Sequence, residues 1–142
     1  MHLPRALALG VPAAAAALAL GVASAASAPS ALSVTEREYA ITPSSGSVAA
    51  GPVTVQVTNA GTVTHELVVI RTDRPTNQLA LEVETNEVNE EEPEQEKVNE
   101  IEDIAAGTTQ SKTLNLAPGR YALICNIPGH YKAGMVAAFE VK

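Results

Sequence analysis

The chain has 142 residues, of which 46% are hydrophobic and 3% are aromatic, and its formal net charge at pH 7 is −7. The length fits a single domain, and the hydrophobic fraction is too high for a wholly disordered chain. The acidic balance argues against nucleic acid as a partner, because phosphate binding requires a surplus of Lys and Arg on one face. A single Cys excludes an intrachain disulfide, so stability must come from the core or from a metal.

The N-terminal segment has the three-part layout of a secretory signal. Arg5 supplies a positive charge, residues 6–22 are rich in Ala and Leu, and residues 23–25 (Ala-Ser-Ala) have the spacing of a cleavage site. The apolar run is short for a membrane span. We therefore expect a cleaved signal over residues 1–25, a periplasmic or cell-surface protein, and no membrane span in the mature chain. Retention of the segment as a tether is the alternative.

Residues 26–33 are small and polar and predict a short flexible lead. From residue 34 onward, hydrophobic residues alternate with polar ones, which is the period of β-strands. The predicted strands lie within residues 34–41, 53–58, 65–70, 113–116, 120–126 and 138–141. Turn residues such as Asn59-Ala60-Gly61 separate them. This pattern predicts an antiparallel β-sandwich.

An acidic insertion interrupts the pattern between residues 73 and 104. Its last 24 residues contain 11 of the 16 acidic residues of the chain, against Lys97 alone. Such a charge run is typical of a solvated or mobile loop, and it can also act as a docking surface for a partner. Val98, Ile101 and Ile104 lie three apart, which fits either a short helical turn on the sandwich or an edge strand. The sequence leaves both choices open.

Four side chains with sulfur or imidazole donors form a pattern that predicts a metal site. Cys125 ends a strand, His130 follows five residues later, and Met135 follows after five more, with Pro and Gly residues supplying the bends between them. His65 begins another strand with inward parity, so a sandwich can bring it to the same pole. A Cys, two His and a weak axial Met are the donor set of a blue-copper electron-transfer centre.

Each of these residues taken alone has a simpler interpretation, because buried Cys and Met residues often only fill a core. Their joint spacing favours a metal site. Structural zinc fits less well, since a thioether is a poor zinc ligand. A nucleophilic arrangement of Cys125, His65 and Asn126 leaves Met135 and the second His without a role, so we expect that the protein is not an enzyme.

The segments NAGTVTHELVVI and YALICNIPGHYKAGMVAAFEV together resemble the cupredoxins, the small blue copper proteins. The Cys-x₄-His-x₄-Met spacing is similar to that of the rusticyanin and auracyanin type. The resemblance covers residues 34–142 apart from the acidic stretch. It implies that His65, Cys125 and His130 are the strong ligands of one type 1 copper ion and that Met135 is the axial ligand.

The chain departs from the family pattern beside two of these residues. Many cupredoxins have Asn after the first His and Ser or Thr after the Cys, where this chain has Glu66 and Asn126. By strand parity, Glu66 is predicted to face away from Leu67. An inward carboxylate would favour Cu(II) and lower the reduction potential. In some members the carbonyl before the first His, here that of Thr64, makes a weak contact with the metal.

The resemblance implies an all-β Greek-key β-sandwich of seven to eight strands over residues 34–142, with copper at one pole. The implied function is to carry single electrons outside the cytoplasmic membrane by Cu(II)/Cu(I) cycling, with His130 as the ligand nearest the surface. We expect a monomer with redox protein partners, and the acidic stretch is compatible with a cationic one. The alternatives are a copper carrier or storage module that delivers the ion, and a sensor or accessory part of a larger oxidase.

Overall fold

The structure, a computed structural model, describes residues 28–142, which form a sandwich of two β-sheets. In chain order these residues contain β1 (Ser30–Arg37), β2 (Ala40–Pro43), β3 (Ser47–Val48), β4 (Gly51–Asn59), β5 (His65–Thr72), a 3₁₀ turn (Thr76–Gln78), β6 (Gln95–Ile104), β7 (Thr109–Leu116), β8 (Gly119–Ile124) and β9 (Val136–Val141). The strand order is β2-β1-β4-β7 in one sheet and β3-β9-β8-β5-β6 in the other. The predicted all-β sandwich is confirmed. The predicted signal, residues 1–25, lies outside the described residues. Between residues 28 and 142, no helix is long and apolar enough to cross a membrane.

The strands differ from the prediction in three details. The described residues contain nine strands, whereas seven to eight were expected. The predicted strand over residues 34–41 is divided into β1 and β2, and β3 is a strand of only two residues. β1 begins at Ser30 and Leu32 is 1% exposed, so residues 30–33 are strand and core, and the prediction of a flexible lead is wrong there. β1 pairs with β4, and β3 with β9, in parallel, so both sheets are mixed.

Alternation of side chains on β4 explains how the sheets pack. Val53, Val55 and Val57 point inward and are buried, as expected for β-branched residues on a strand. The residues between them face outward, and the hydroxyls of Thr54 and Thr113 lie 3.0 Å apart across the β4–β7 pair. The inner faces of the two sheets therefore enclose one hydrophobic core, which also contains the predicted ligands Cys125 and Met135.

The first part of the acidic insertion packs on the outer face of the second sheet. It contributes buried residues to a second hydrophobic cluster, which contains Val68, Ile70, Leu79, Val88, Ala122, Ile124 and Tyr131. The last part of the insertion, residues 95–104, is β6 at the edge of the sheet, so Val98, Ile101 and Ile104 belong to an edge strand. The second sheet is consequently covered on both faces.

Two amide side chains attach the insertion to the sheet. Gln95, which is fully buried, accepts a hydrogen bond from the Ala80 N–H (2.8 Å) and donates one to its carbonyl (3.0 Å). Asn126 forms the same pair of bonds with Val88, at 2.6 Å from the N–H and 3.0 Å to the carbonyl. Because Asn126 directly follows Cys125, the insertion is bonded to the segment that contains the predicted metal ligands.

Three strand ends meet at one pole of the second sheet. β5 begins at His65, β8 ends at Ile124 just before Cys125, and β9 begins at Val136 just after Met135. β5 and β9 both pair antiparallel with β8, so the start of β5, the end of β8 and the start of β9 lie at the same end of the sheet. The topology therefore brings residues that are 60 positions apart in the chain to one place.

Candidate metal site

The side chains of the cysteine and both histidines converge on one point. Sγ of Cys125 lies 3.3 Å from Nδ1 of His130 and 3.9 Å from Nδ1 of His65, and the two Nδ1 atoms are 3.3 Å apart. Typical metal–nitrogen and metal–sulfur bonds are about 2.0 and about 2.3 Å, so two such bonds span up to about 4 Å. One ion can therefore contact all three atoms. The mixed nitrogen and sulfur donors fit copper chemistry.

Met135, the fourth predicted ligand, lies in the same core as Cys125 and is 0% exposed. Its N–H donates a hydrogen bond to the His130 carbonyl (3.1 Å), and its carbonyl accepts one from the Cys125 N–H (3.2 Å). These two bonds close the loop from residue 125 to residue 135. The structure thus brings the four predicted residues together, three by side-chain distance and Met135 through the backbone.

Tight turns shape this loop between Cys125 and Met135. The His130 N–H donates to the Ile127 carbonyl (2.9 Å), and Gly129 has a φ of 84° that favours glycine. The hydroxyl of Tyr131 donates one hydrogen bond to the backbone of the insertion and accepts another from it. The loop therefore has a defined conformation that is supported by the insertion.

The turn before His65 is held by a buried amide. Nδ2 of Asn59 donates to the carbonyls of Val63 and Ile104, each at 2.7 Å, and its Oδ1 accepts from the Gly61 N–H at 2.9 Å. Asn59, the last residue of β4, thereby provides hydrogen-bond partners for three backbone groups. This fixes the path by which the chain enters β5 and presents His65 to the site.

Glu38, in the turn between β1 and β2, contacts the outer side of His65. Its Oε1 lies 3.1 Å from Nε2 of His65 and accepts hydrogen bonds from the N–H groups of Thr62 (2.7 Å) and Val63 (3.0 Å). The bonds from Val63 and Thr62 lower the pKa of Glu38 to about 2, so its carboxylate is ionised at neutral pH. This contact joins elements of the two sheets and leaves no periodic signal in the sequence, so the sequence alone does not predict Glu38 as part of the site.

Glu66 connects the two segments that contain the predicted ligands. Its Oε1 accepts a hydrogen bond from the Asn126 N–H at 3.1 Å. In many family members this position has Asn, which joins the same segments. In this chain a half-buried carboxylate makes the connection. Burial raises the pKa of Glu66.

Burial also controls the protonation of the donors themselves. It raises the pKa of Cys125 to about 11, although hydrogen bonds from the backbone N–H groups of Glu66 and Ile127 oppose this effect. In the absence of metal the thiol is therefore protonated at neutral pH, and an ion must displace that proton to bind the thiolate. Burial, followed by the nearby His65, lowers the pKa of His130, which favours the neutral imidazole that a metal requires.

Glu36 is a second carboxyl group near the site that sequence analysis did not identify. It is 0% exposed, and neither of its oxygens has a hydrogen-bond partner among the described residues. Burial, followed by the charge of Glu66, raises the pKa of Glu36 to about 8, so this carboxyl is mostly protonated at pH 7. Its inward parity with Leu32 and Val34 on β1 was the available sequence signal.

Comparison with known proteins defines the class. The sequence model of the copper binding proteins of the plastocyanin/azurin family matches residues 29–142. The match includes every described strand, and the chain belongs to this family. One copper ion is therefore its cofactor. No curated protein matches the chain.

Solved structures share the fold. Reduced auracyanin from the photosynthetic bacterium Roseiflexus castenholzii is 20% identical, and the match covers 82% of this chain and 99% of that one with a TM-score of 0.58. Auracyanin B is 24% identical over 83% of this chain and 93% of its own, with a TM-score of 0.59. Rusticyanin from Thiobacillus ferrooxidans is 17% identical over 81% of this chain and 79% of its own, with a TM-score of 0.56. The predicted resemblance to cupredoxins of this type is confirmed.

In the metal-free protein, the contribution of Glu36 to the free energy of unfolding should fall as the pH rises from 5 to 8, because Glu36 stays protonated in the folded state. The ordinary pKa of Glu36 is 4.5 and its pKa in the folded protein is about 8. The contribution of Glu36 to the free energy of unfolding is therefore complete below pH 4.5 and is lost as the pH rises through 8. The slope from one such group is at most about 1.4 kcal/mol per pH unit.

Glu36→Gln should remove this slope from the free energy of unfolding, measured by urea denaturation at several pH values. Glu84→Gln, which changes an exposed carboxylate, is the control. The histidines and other titrating groups are common to all three proteins and cancel in the comparison. Parallel curves for the wild type and Glu36→Gln would contradict the assignment of a buried, protonated carboxyl.

Proposed function

We propose that the protein is a type 1 (blue) copper protein that carries single electrons, with His65, Cys125 and His130 as strong ligands and Met135 as the axial ligand. The observation that carries this proposal is the convergence of Sγ and two Nδ1 atoms at 3.3 to 3.9 Å in a chain of a copper-binding family. Copper held by this donor set supplies one-electron chemistry by alternating between Cu(II) and Cu(I).

The surroundings of the site support electron transfer rather than release of the ion. Backbone hydrogen bonds fix the loop that contains Cys125, His130 and Met135, and Asn59 fixes the entry to His65. Donors that are held in place before binding rearrange little when the charge of the ion changes. The alternative, a module that delivers copper, requires an exchangeable site, and three of the four donor residues here are fully buried.

His130 is the proposed ligand through which electrons enter and leave. It is partly exposed, whereas His65 is fully buried. Pro128 and Ala133 in the same loop are exposed. The ring of Tyr39, which is 48% exposed, packs edge-on against the His130 ring at 5.3 Å. These side chains form a small surface on which we propose that a redox protein docks.

We also propose that the protein works outside the cytoplasmic membrane, on the basis of the signal pattern in residues 1–25. Its role is electron transfer between partner proteins, and no catalytic step on a substrate is proposed. Rapid reduction and reoxidation without loss of copper would distinguish this function from copper delivery.

The acidic insertion is proposed to steer a cationic partner toward this surface. Leu81 and Val88 form a β-bridge, and Val88 is bonded to Asn126 beside Cys125, so the segment between them lies near the site. Glu82 and Glu84 in this segment are exposed. Negative charge close to the docking surface raises the encounter rate with a basic protein at low ionic strength.

Addition of Cu(II) to the wild-type protein should produce an intense thiolate charge-transfer band in the visible spectrum. Cys125→Ser should abolish this band, because a hydroxyl does not replace a thiolate ligand. Circular dichroism of both proteins tests that the sandwich is retained. A Ser variant with undiminished colour would refute Cys125 as a ligand.

Met135→Leu should keep the colour and raise the reduction potential, because it replaces a weak axial donor by an apolar side chain of similar size, and this disfavours Cu(II). Met135→Gln should lower the potential. Redox titration followed by the visible band measures both values. If neither substitution moved the potential, Met135 would only be a core residue.

The double substitution Glu82→Gln and Glu84→Gln should slow electron transfer to a basic acceptor roughly a few-fold at low salt. The difference should shrink as the screening length falls to about 8 Å at physiological ionic strength and about 3 Å at 1 M. Asp73→Asn with Glu140→Gln is the matched control, because it removes two exposed carboxylates from strand ends at the opposite pole. Stopped-flow rates across a salt series measure the effect, and identical curves for the two double variants would refute local steering.

A further inference from the structure

The two ring nitrogens of His65 have different neighbours. Nδ1 faces Nδ1 of His130 and Sγ of Cys125, whereas Nε2 lies 3.1 Å from Oε1 of Glu38. A neutral imidazole carries one proton, and an ionised carboxylate only accepts hydrogen bonds. The proton therefore belongs on Nε2, which leaves the lone pair of Nδ1 directed at the other two donors.

We propose that Glu38 is a positioning residue that fixes the tautomer and the ring orientation of His65, and that its negative charge lowers the reduction potential of the copper site. The inference rests on the proposed function in so far as His65 is a copper ligand. Carboxylates that accept from a metal-bound imidazole orient the ring and increase the basicity of the ligand. Greater basicity, together with the nearby negative charge, favours Cu(II) over Cu(I).

The turn between β4 and β5 is shaped around the Glu38 carboxylate. Its Oε1 accepts from the N–H groups of Thr62 and Val63 as well as from His65, so three donors meet at one oxygen. A Cβ on Gly61 would lie only 2.7 Å from Cδ and Oε2 of Glu38. The absence of a side chain at Gly61 therefore makes room for the carboxylate, and the turn and Glu38 together form a fixed support behind His65.

Glycine at position 61 also provides a test that changes neither Glu38 nor any proposed ligand. In Gly61→Ala the new methyl group should displace the carboxylate, because the atoms it would meet lie at the end of a side chain that can rotate and not in the backbone. We expect Gly61→Ala and Glu38→Ala to have similar effects. Combining them should add little, because both remove the same contact.

The first readout uses the metal-free protein. Long-range ¹H–¹⁵N NMR should find the Nε2–H tautomer of His65 in the wild type and in Glu38→Gln, whose amide oxygen still accepts the hydrogen bond. Glu38→Ala and Gly61→Ala should give a mixture of tautomers. Glu140→Gln, which removes an exposed carboxylate near the end of β9 at the opposite pole, is the control and should match the wild type.

The second readout uses the copper protein. Glu38→Ala and Gly61→Ala should weaken Cu(II) binding about 10- to 100-fold, the usual cost of losing a partner of a ligating histidine. Each tenfold weakening of Cu(II) binding that is not matched by weaker Cu(I) binding raises the reduction potential by about 59 mV. Glu38→Gln, which loses the charge and keeps the acceptor, should raise the potential with a smaller loss of affinity.

The outcomes separate this inference from the proposed function. Absence of a thiolate band in the wild type would refute the proposed function, while the NMR experiment would still decide the role of Glu38 toward His65. A wild type with the band, together with unchanged tautomer, affinity and potential in Glu38→Ala and Gly61→Ala, would overturn the inference. A lower free energy of unfolding as the only effect would likewise overturn it, since Glu38 would then only fasten the turn.

Discussion

The close approach of three donor atoms is the constraint on which this pole of the molecule depends. Cys125 Sγ and the Nδ1 atoms of His65 and His130 lie within 3.9 Å of one another, and Cys125 and His65 are fully buried. Protonated imidazoles at this distance would repel each other, and a bare thiolate would lose its hydration. The metal-free site is therefore compatible with a neutral His130 and a protonated thiol, and copper binding must expel the thiol proton.

The fold meets this constraint with groups from both sheets. The second sheet supplies the donors through the start of β5 and the loop between β8 and β9, while the first sheet supplies Glu38 and Asn59. An ion bound at this place connects elements that are distant in the chain. Its binding free energy should therefore also stabilise the folded state of the second sheet.

Local sequence signals were sufficient for much of this architecture. The spacing of Cys125, His130 and Met135 lies within one loop, and the inward parity of His65 with Leu67 was visible in its strand. The residues that the analysis missed act across elements. The alternation in VTEREYAI predicts one continuous strand and carries no signal for the turn that contains Glu38. The charge of the insertion likewise predicts a solvated loop, whereas Leu79 and Val88 are buried in the structure. The attachment of the insertion depends on single amides such as Gln95, which form no repeating pattern in the sequence.

The two-sided burial of the second sheet has a consequence for how the molecule opens. Val68, Ile70, Ala122 and Ile124 in β5 and β8 are 0% exposed on the outer face, and the main core covers the inner face. Amide hydrogens in such a doubly covered pair exchange with solvent only in large, rare unfolding events, whereas the edge strands β2, β3, β6 and β7 can fray individually. The proposed ligands His65 and Cys125 are attached to the ends of this slowly exchanging pair. Fluctuations at the periphery of the sandwich should therefore leave the metal in place.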